Sequence, residues 1–146
     1  MTADVTLLPK YTRKEEIYNS TTHFLGALLG IGSLITFIIL GINKGHSFLH
    51  MIPFYTYSIF MFIMFFVSGF YHSRPFNSKS RANARIIDHS DIYAFVAATY
   101  FPICMYGVTH QVVSIVMLSI EVGLGVLGIV LSVIPNNSRI IKKITF

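Results

Sequence analysis

The chain has 146 residues, of which 53% are hydrophobic and only 12% are charged, and its mean hydropathy is +0.65. This composition is typical of a membrane protein and not of a soluble domain of the same length. The net charge is +5, but the basic residues lie between apolar runs, so nucleic acid is not an expected partner. A single cysteine, Cys104, excludes a disulfide framework and a cysteine metal site.

Four apolar stretches follow a polar leader. The leader, residues 1–23, has charges that favour a short helix on the membrane surface. The predicted spans are 24–42, 51–71, 92–108 and 112–134, and residues 135–146 form a basic tail. A helix that rises about 1.5 Å per residue crosses a hydrocarbon core of about 30 Å with stretches of this length. Because backbone amides in lipid must be bonded within their own segment, we expect an all-α bundle of four transmembrane helices.

Lysine and arginine residues alternate between the two sides of these spans. The N-terminal segment, the second loop and the tail are basic, whereas the first loop contains only Lys44 and the turn at 109–111 contains neither residue type. The positive-inside rule therefore predicts that the N-terminus, the second loop and the C-terminus are cytoplasmic. This orientation requires an even number of spans, which agrees with four.

Three features interrupt the apolar pattern within the spans. Gly26 and Gly30 have the spacing that lets another helix approach closely, either in a specific dimer or, as we favour, within one bundle. Pro102 predicts a kink in the third span. Glu121 in the fourth span should face the bundle, be protonated or pair with a partner chain, because a carboxylate facing lipid is costly.

Two polar clusters lie at the cytoplasmic ends of the second and third spans. Ser68 and His72, four residues apart, share one helix face, and Asp88 and Asp91, three residues apart, share another. Both ends lie at the same membrane depth, so contact between His72 and Asp88 is geometrically easy. A histidine near a carboxylate suits a metal site or an acid/base pair. The alternative is an acidic residue that offsets a helix dipole and a histidine at the membrane interface.

His46 and His50 also have the spacing of two metal ligands on one helix face. The predicted topology puts them in the first loop, across about 30 Å of membrane from His72. They therefore cannot complete a site with His72, and two histidines without a third ligand are only a weak indication of a metal.

The sequence resembles the hemolysin III family, the bacterial members of the superfamily of adiponectin and progestin receptors. Residues 16–26 resemble the family opening E-x-x-N-x-x-T-H-x-x-G, and residues 68–72 resemble the motif S-x-x-Y-H. Residues 88–102 resemble D-H-x-x-I-Y-x-x-x-A-G-T-Y-T-P, with Ala98 and Phe101 in place of the usual glycine and threonine. The resemblance implies a seven-span fold, of which this chain covers the first four spans.

The resemblance also implies a zinc site. His72 would be a zinc ligand, Asp88 would orient the metal-bound water and Ser68 would belong to the same polar cluster. Relatives complete the site with two histidines of a seventh span, so we expect the site in this chain to be incomplete. Hydrolysis of lipid amides such as ceramide would then require helices from another polypeptide.

Two other functions remain open for the chain. It is alternatively a non-enzymatic membrane protein that forms oligomers or lyses membranes, or an inactive truncated family member. In each case we expect an integral protein of the bacterial plasma membrane, whose partners are the lipid bilayer and either a second copy or a second polypeptide.

Overall fold

The computed structural model describes residues 8–9 and 11–134, and this part of the chain contains helices and no β-strand. The prediction of an all-α fold is therefore confirmed. Each helix packs mainly against its neighbours in the sequence, α1 on α2, α2 on α3 and α3 on α4. The elements are helices α1 (Arg13–Lys44), α2 (Phe48–Ser73), α3 (Lys79–Pro102) and α4 (Gln111–Val133), with a π-helical turn (Ile103–Gly107) between α3 and α4.

Three of these helices, α1, α2 and α4, are long and apolar enough to cross a membrane. The predicted spans 24–42 and 51–71 lie inside α1 and α2, and the span 112–134 matches α4 to within one residue at each end. Helix α3 is not among the three candidate spans, because its first half is rich in basic and acidic side chains. Four spans and the orientation of the termini therefore stay predictions.

The leader differs in structure from the short surface helix expected there. Helix α1 is continuous from Arg13, so residues 13–23 extend the first apolar segment. A capping box fixes this start: Thr12 accepts a hydrogen bond from the backbone of Glu15, and the Glu15 carboxylate accepts one from the Thr12 amide at 2.7 Å. Residues 1–7 and the predicted tail, 135–146, lie outside the described residues.

The predicted third span, 92–108, contains a change of helix type. Helix α3 ends at Pro102 and the π-helical turn follows at once. Proline has no N–H to continue the regular bonding pattern, which explains a break here. Ser114 of α4 donates a hydrogen bond to the backbone oxygen of buried Cys104, and so joins the turn to the next helix.

Glu121 faces the inside of the helix row. It is partly buried on the face of α4 that also contains buried Ser114, Gly125 and Gly128. A Cβ atom at Gly125 would lie 3.2 Å from the backbone oxygen of Tyr93 in α3, so this face packs against α3. Of the three placements expected for Glu121, the structure supports the one toward the bundle.

Close packing of α1 on α2 depends on Gly26 and Gly30. A Cβ atom at Gly30 would lie 2.7 Å from the backbone nitrogen of Phe62, and one at Gly26 would lie 2.7 Å from the ring of Phe65. A methyl group therefore fits at neither position without moving α2. The glycine spacing is used for packing within the chain.

We expect Gly30→Ala to lower the free energy of unfolding in detergent by about 1–3 kcal/mol, because the added methyl group meets backbone atoms of α2. Gly32→Ala is the matched control, since nothing lies within 4 Å of a Cβ atom there. Denaturant unfolding followed by circular dichroism measures both variants. Equal stability of the two would contradict this account of the interface.

Candidate functional site

A buried ion pair connects α1 with α3. The Arg81 guanidinium donates a hydrogen bond to Oε1 of Glu16. Only 1% of the Arg81 side chain and 6% of the Glu16 side chain are exposed. Arg81 also donates to the backbone oxygen of Arg74, just after α2, at 3.1 Å. One guanidinium therefore joins the ends of three helices.

Local sequence fixes the position of Arg81. Ser78 caps α3 and accepts a hydrogen bond from the Arg81 amide at 3.1 Å, so the arginine lies in the first helical turn. Its guanidinium lies 4.7 Å from the ring centroid of Tyr71 and 5.2 Å from that of Phe76. Through these cation–π contacts the two aromatic rings cover the planar guanidinium in its buried position.

The same carboxylate holds His72. Nδ1 of His72 lies 2.7 Å from Oε2 of Glu16, and 10% of the His72 side chain is exposed. An ionised carboxylate only accepts hydrogen bonds, so Nδ1 carries the hydrogen and donates it. In the neutral ring, Nε2 is then left with a free lone pair. Proteins orient metal-ligating histidines in this way, with a carboxylate behind the ring.

A second histidine lies beside His72. The ring centroids of His23 and His72 are 5.5 Å apart, and their planes are inclined by 80°. On its other side, His23 meets the ring of Phe65 edge-on at 5.9 Å. Nδ1 of His23 is buried and has no hydrogen-bond partner within the described residues. Buried polar atoms are almost always bonded, so this nitrogen requires an explanation.

The predicted site residues are only partly brought together. Ser68 and Asp88 are both buried. Asp88, however, lies 3.5 Å from its neighbour His89, and His72 is bonded to Glu16 in place of Asp88. None of these contacts tests whether Ser68, His72 and Asp88 take part in a chemical reaction, so that role stays a prediction.

Asp91 lies outside the candidate spans, one residue before the predicted third span. Burial raises the pKa of its carboxyl to about 8, and the charge of nearby Asp88 acts in the same direction. A large share of Asp91 therefore holds a proton at neutral pH. The start of the third apolar stretch carries less negative charge than its sequence indicates.

A separate apolar cavity of about 390 Å³ lies between α2, α3 and α4. Its walls include Thr56, Phe60, Ala98 and Phe101, and Thr56 is the only residue of its lining with a side-chain hydroxyl or charge. None of the residues of the polar cluster lines it. The cavity and the cluster are therefore distinct features.

The geometry of His72 is compatible with a metal ligand. The orientation of His72 suits one ligand position, because its nitrogen lone pair is free. Within residues 11–134, however, no group of three histidine, cysteine or acidic residues converges in a way that could hold a metal ion. Zinc needs at least three protein ligands for tight binding.

Sequence reasoning did not identify Glu16 and Arg81 as members of the cluster. Glu16 is the first residue of the segment that resembles the family opening, and this was the available signal. Arg81 lies in the basic second loop of the predicted topology, where its charge indicates orientation and not a buried contact. A pair separated by 65 residues is visible only once the helices are packed.

Long apolar helices with a buried polar cluster at one end define the class, a helical integral membrane protein. The family described as Haemolysin-III related matches residues 11–145, so the chain belongs to this family. It is 37% identical over 92 residues to a protein of Bacillus subtilis (strain 168) named Hemolysin-3 homolog, covering 63% of this chain and 42% of the relative. It is 36% identical over 102 residues to Hemolysin-3 of Bacillus cereus, covering 70% and 45%.

The chain thus spans less than half the length of these curated relatives. No solved structure matches it.

We expect Glu16→Gln to destabilise the protein by about 3–5 kcal/mol, because the substitution leaves the Arg81 guanidinium buried without its counter-charge. Glu15→Gln is the matched control. Glu15 is exposed, and glutamine also serves in a capping box, so stability should barely change. Unfolding in detergent measures both variants.

The double variant Glu16→Gln with Arg81→Met tests whether the two side chains act as a pair. Its loss of stability should be smaller than the sum of the two single losses, because no buried charge is left unpaired. Additive losses would show that the two residues contribute independently.

Proposed function

We propose that the chain forms a hemolysin III-type bundle of four membrane spans and carries half of a zinc site at its cytoplasmic end. One observation supports this most directly: Nδ1 of His72 is bound by a buried carboxylate, which leaves Nε2 available as a metal ligand. In this proposal His72 would hold the zinc ion, Asp88 would position a water beside it, and Ser68 would complete the polar surroundings. Zinc in such a site lowers the pKa of bound water and polarises a carbonyl group.

The missing ligands would come from other helices. The relatives are more than twice as long as the part that matches this chain, so they contain sequence for further helices. Hydrolysis of a lipid amide is the activity we propose for the completed site. This chain's own part is to bind one side of the metal, to hold His72 rigidly and to keep the cluster away from water.

The second candidate is a non-enzymatic, oligomer-forming or lytic membrane protein. The name Hemolysin-3 of the Bacillus cereus relative favours it. Lysis of erythrocytes by the purified chain, unchanged in His72→Ala and in the presence of a chelator, would support this candidate. An inactive truncated family member would show neither lysis nor activity after completion.

The topology can be tested by cysteine labelling in a Cys104→Ala background. Exposed Asn43, near the end of α1, and exposed Ser80, in the first turn of α3, are suitable positions. With four spans and a cytoplasmic N-terminus, Asn43→Cys should react with a membrane-impermeant maleimide in intact cells. Ser80→Cys should react only after lysis. The reverse pattern would contradict the proposed orientation.

We expect the purified chain to hold no stoichiometric zinc at micromolar free zinc, because its ligand set is incomplete. A fusion to the part of Bacillus cereus Hemolysin-3 beyond the matched region should hold one zinc ion. This ion should be lost in His72→Ala and kept in His46→Ala, as measured by metal analysis after gel filtration. Tight zinc on the chain alone would refute the half-site, and a folded fusion without zinc would refute the metal.

A further inference from the structure

We propose that Arg74 binds the phosphate group of an anionic phospholipid at the membrane surface. The residue lies in segment 73–80, at the junction of α2 and α3, which contains Arg74 and Lys79 but no acidic residue. A negatively charged headgroup complements this local charge, as it does for basic segments next to membrane spans in general. The site goes beyond the proposed function, because it needs neither a metal nor further helices.

The depth of Arg74 suits a lipid phosphate. The predicted second span, 51–71, ends shortly before Arg74 in the sequence. With a rise of about 1.5 Å per residue, Arg74 lies about 4–5 Å beyond the hydrocarbon core. The headgroup region extends about 5–8 Å beyond the core on each side of a bilayer. The Arg74 side chain therefore starts among the phosphate groups of the lipids.

The Arg74 guanidinium is held on the outside of the helices by an aromatic ring. Its Cζ atom lies 3.8 Å from the centroid of the Phe70 ring. Phe70 belongs to the last turns of α2 and is 39% exposed, so lipid meets this ring and the guanidinium together. A cation–π contact keeps the planar group flat against the ring and leaves its outer edge available for a ligand.

Within the described part of the chain, the Arg74 side chain has no acceptor. Its Nε atom is buried without a hydrogen-bond partner, and no carboxylate of the described residues forms an ion pair with it. Arg81 differs in this respect, because its guanidinium is bonded to Glu16. The two terminal nitrogens of a guanidinium match two oxygens of a phosphate group. Arg74 is thus a positioned cation whose counter-ion has to come from outside these residues.

The backbone at Arg74 is fixed on both sides. Its amide donates a hydrogen bond to the backbone oxygen of Tyr71 at 3.1 Å, which closes the end of α2. Its own backbone oxygen accepts one from Arg81, also at 3.1 Å. The turn that follows is closed by Ser78, whose hydroxyl donates to the backbone oxygen of Pro75 at 2.8 Å. A lipid therefore meets an ordered site, and binding costs little additional conformational entropy.

Native mass spectrometry of the detergent-purified chain counts the bound lipids. We expect one phosphatidylglycerol molecule to bind more tightly than phosphatidylcholine. Arg74→Gln should weaken phosphatidylglycerol binding about tenfold or more, because a pair of charge-assisted hydrogen bonds is lost. Arg13→Gln is the matched control, since it removes the same charge from an exposed position at the start of α1, on the same predicted side of the membrane. It should leave the affinity unchanged.

Three outcomes would overturn the proposal. Equal weakening by Arg74→Gln and Arg13→Gln would show general attraction to positive charge, and equal affinity for the two lipids would show no anion site. Displacement of phosphatidylglycerol by an excess of inorganic phosphate would assign the site to free phosphate and not to a lipid.

Arg74→Lys provides a second test, because it keeps the charge but not the planar fork. It should bind phosphatidylglycerol several-fold more weakly than the unsubstituted chain, and full binding would contradict a two-point contact with phosphate. Circular dichroism checks that each variant is folded. Helix content should be kept, since the polar cluster uses the backbone of Arg74 and not its side chain.

Discussion

The rest of the site depends on the two contacts that the Glu16 carboxylate makes. One of its oxygens binds Arg81 of α3 and the other binds His72 of α2, while its backbone belongs to α1. Moving a carboxylate and a guanidinium out of water is expensive, and the cost is offset only when nearly every polar atom is bonded. The bond of Arg81 to a backbone oxygen and its aromatic neighbours offset part of this cost, whereas Nε of Arg81 has no hydrogen-bond partner among the described residues. The three helix ends are therefore held together by one anion, and their relative position determines where His72 points.

The structure assigns different tasks to the glycines and to the ionic cluster. Gly26 and Gly30 let two apolar helices approach closely, which gives dispersion contacts where lipid supplies no hydrophobic driving force. The ionic cluster then fixes one register between the helices, because apolar surfaces alone can pack in several registers. The bond from Ser20 to the backbone of α2 acts in the same sense at the end of the apolar region. Close packing at the glycines brings α1 and α2 together, and the polar contacts fix their relative position.

Much of the fold could be predicted from composition, because long apolar stretches have few alternatives to helices in a membrane. The second and fourth stretches match α2 and α4 to within three residues at each end, whereas α1 begins at Arg13, well before the first stretch. The end of α3 at Pro102 was harder to predict from the sequence, because a proline can either bend a helix or end it. The partner of His72 was beyond sequence reasoning. Spacing predicts which residues share a face of one helix. That His72 meets Glu16 of α1, and not Asp88 of α3 as expected, depends on how the three helices cross.

Helix α1 has 32 residues and is therefore about 48 Å long, clearly longer than a hydrocarbon core of about 30 Å. The predicted span 24–42 is long enough to cross this core by itself, so the polar residues 13–23 extend α1 beyond it. Glu16 and His23 lie in this extension of α1, whereas His72 belongs to α2. Because Glu16 is bonded to both Arg81 and His72, any change in the tilt of α1 has to move the ends of α2 and α3 with it.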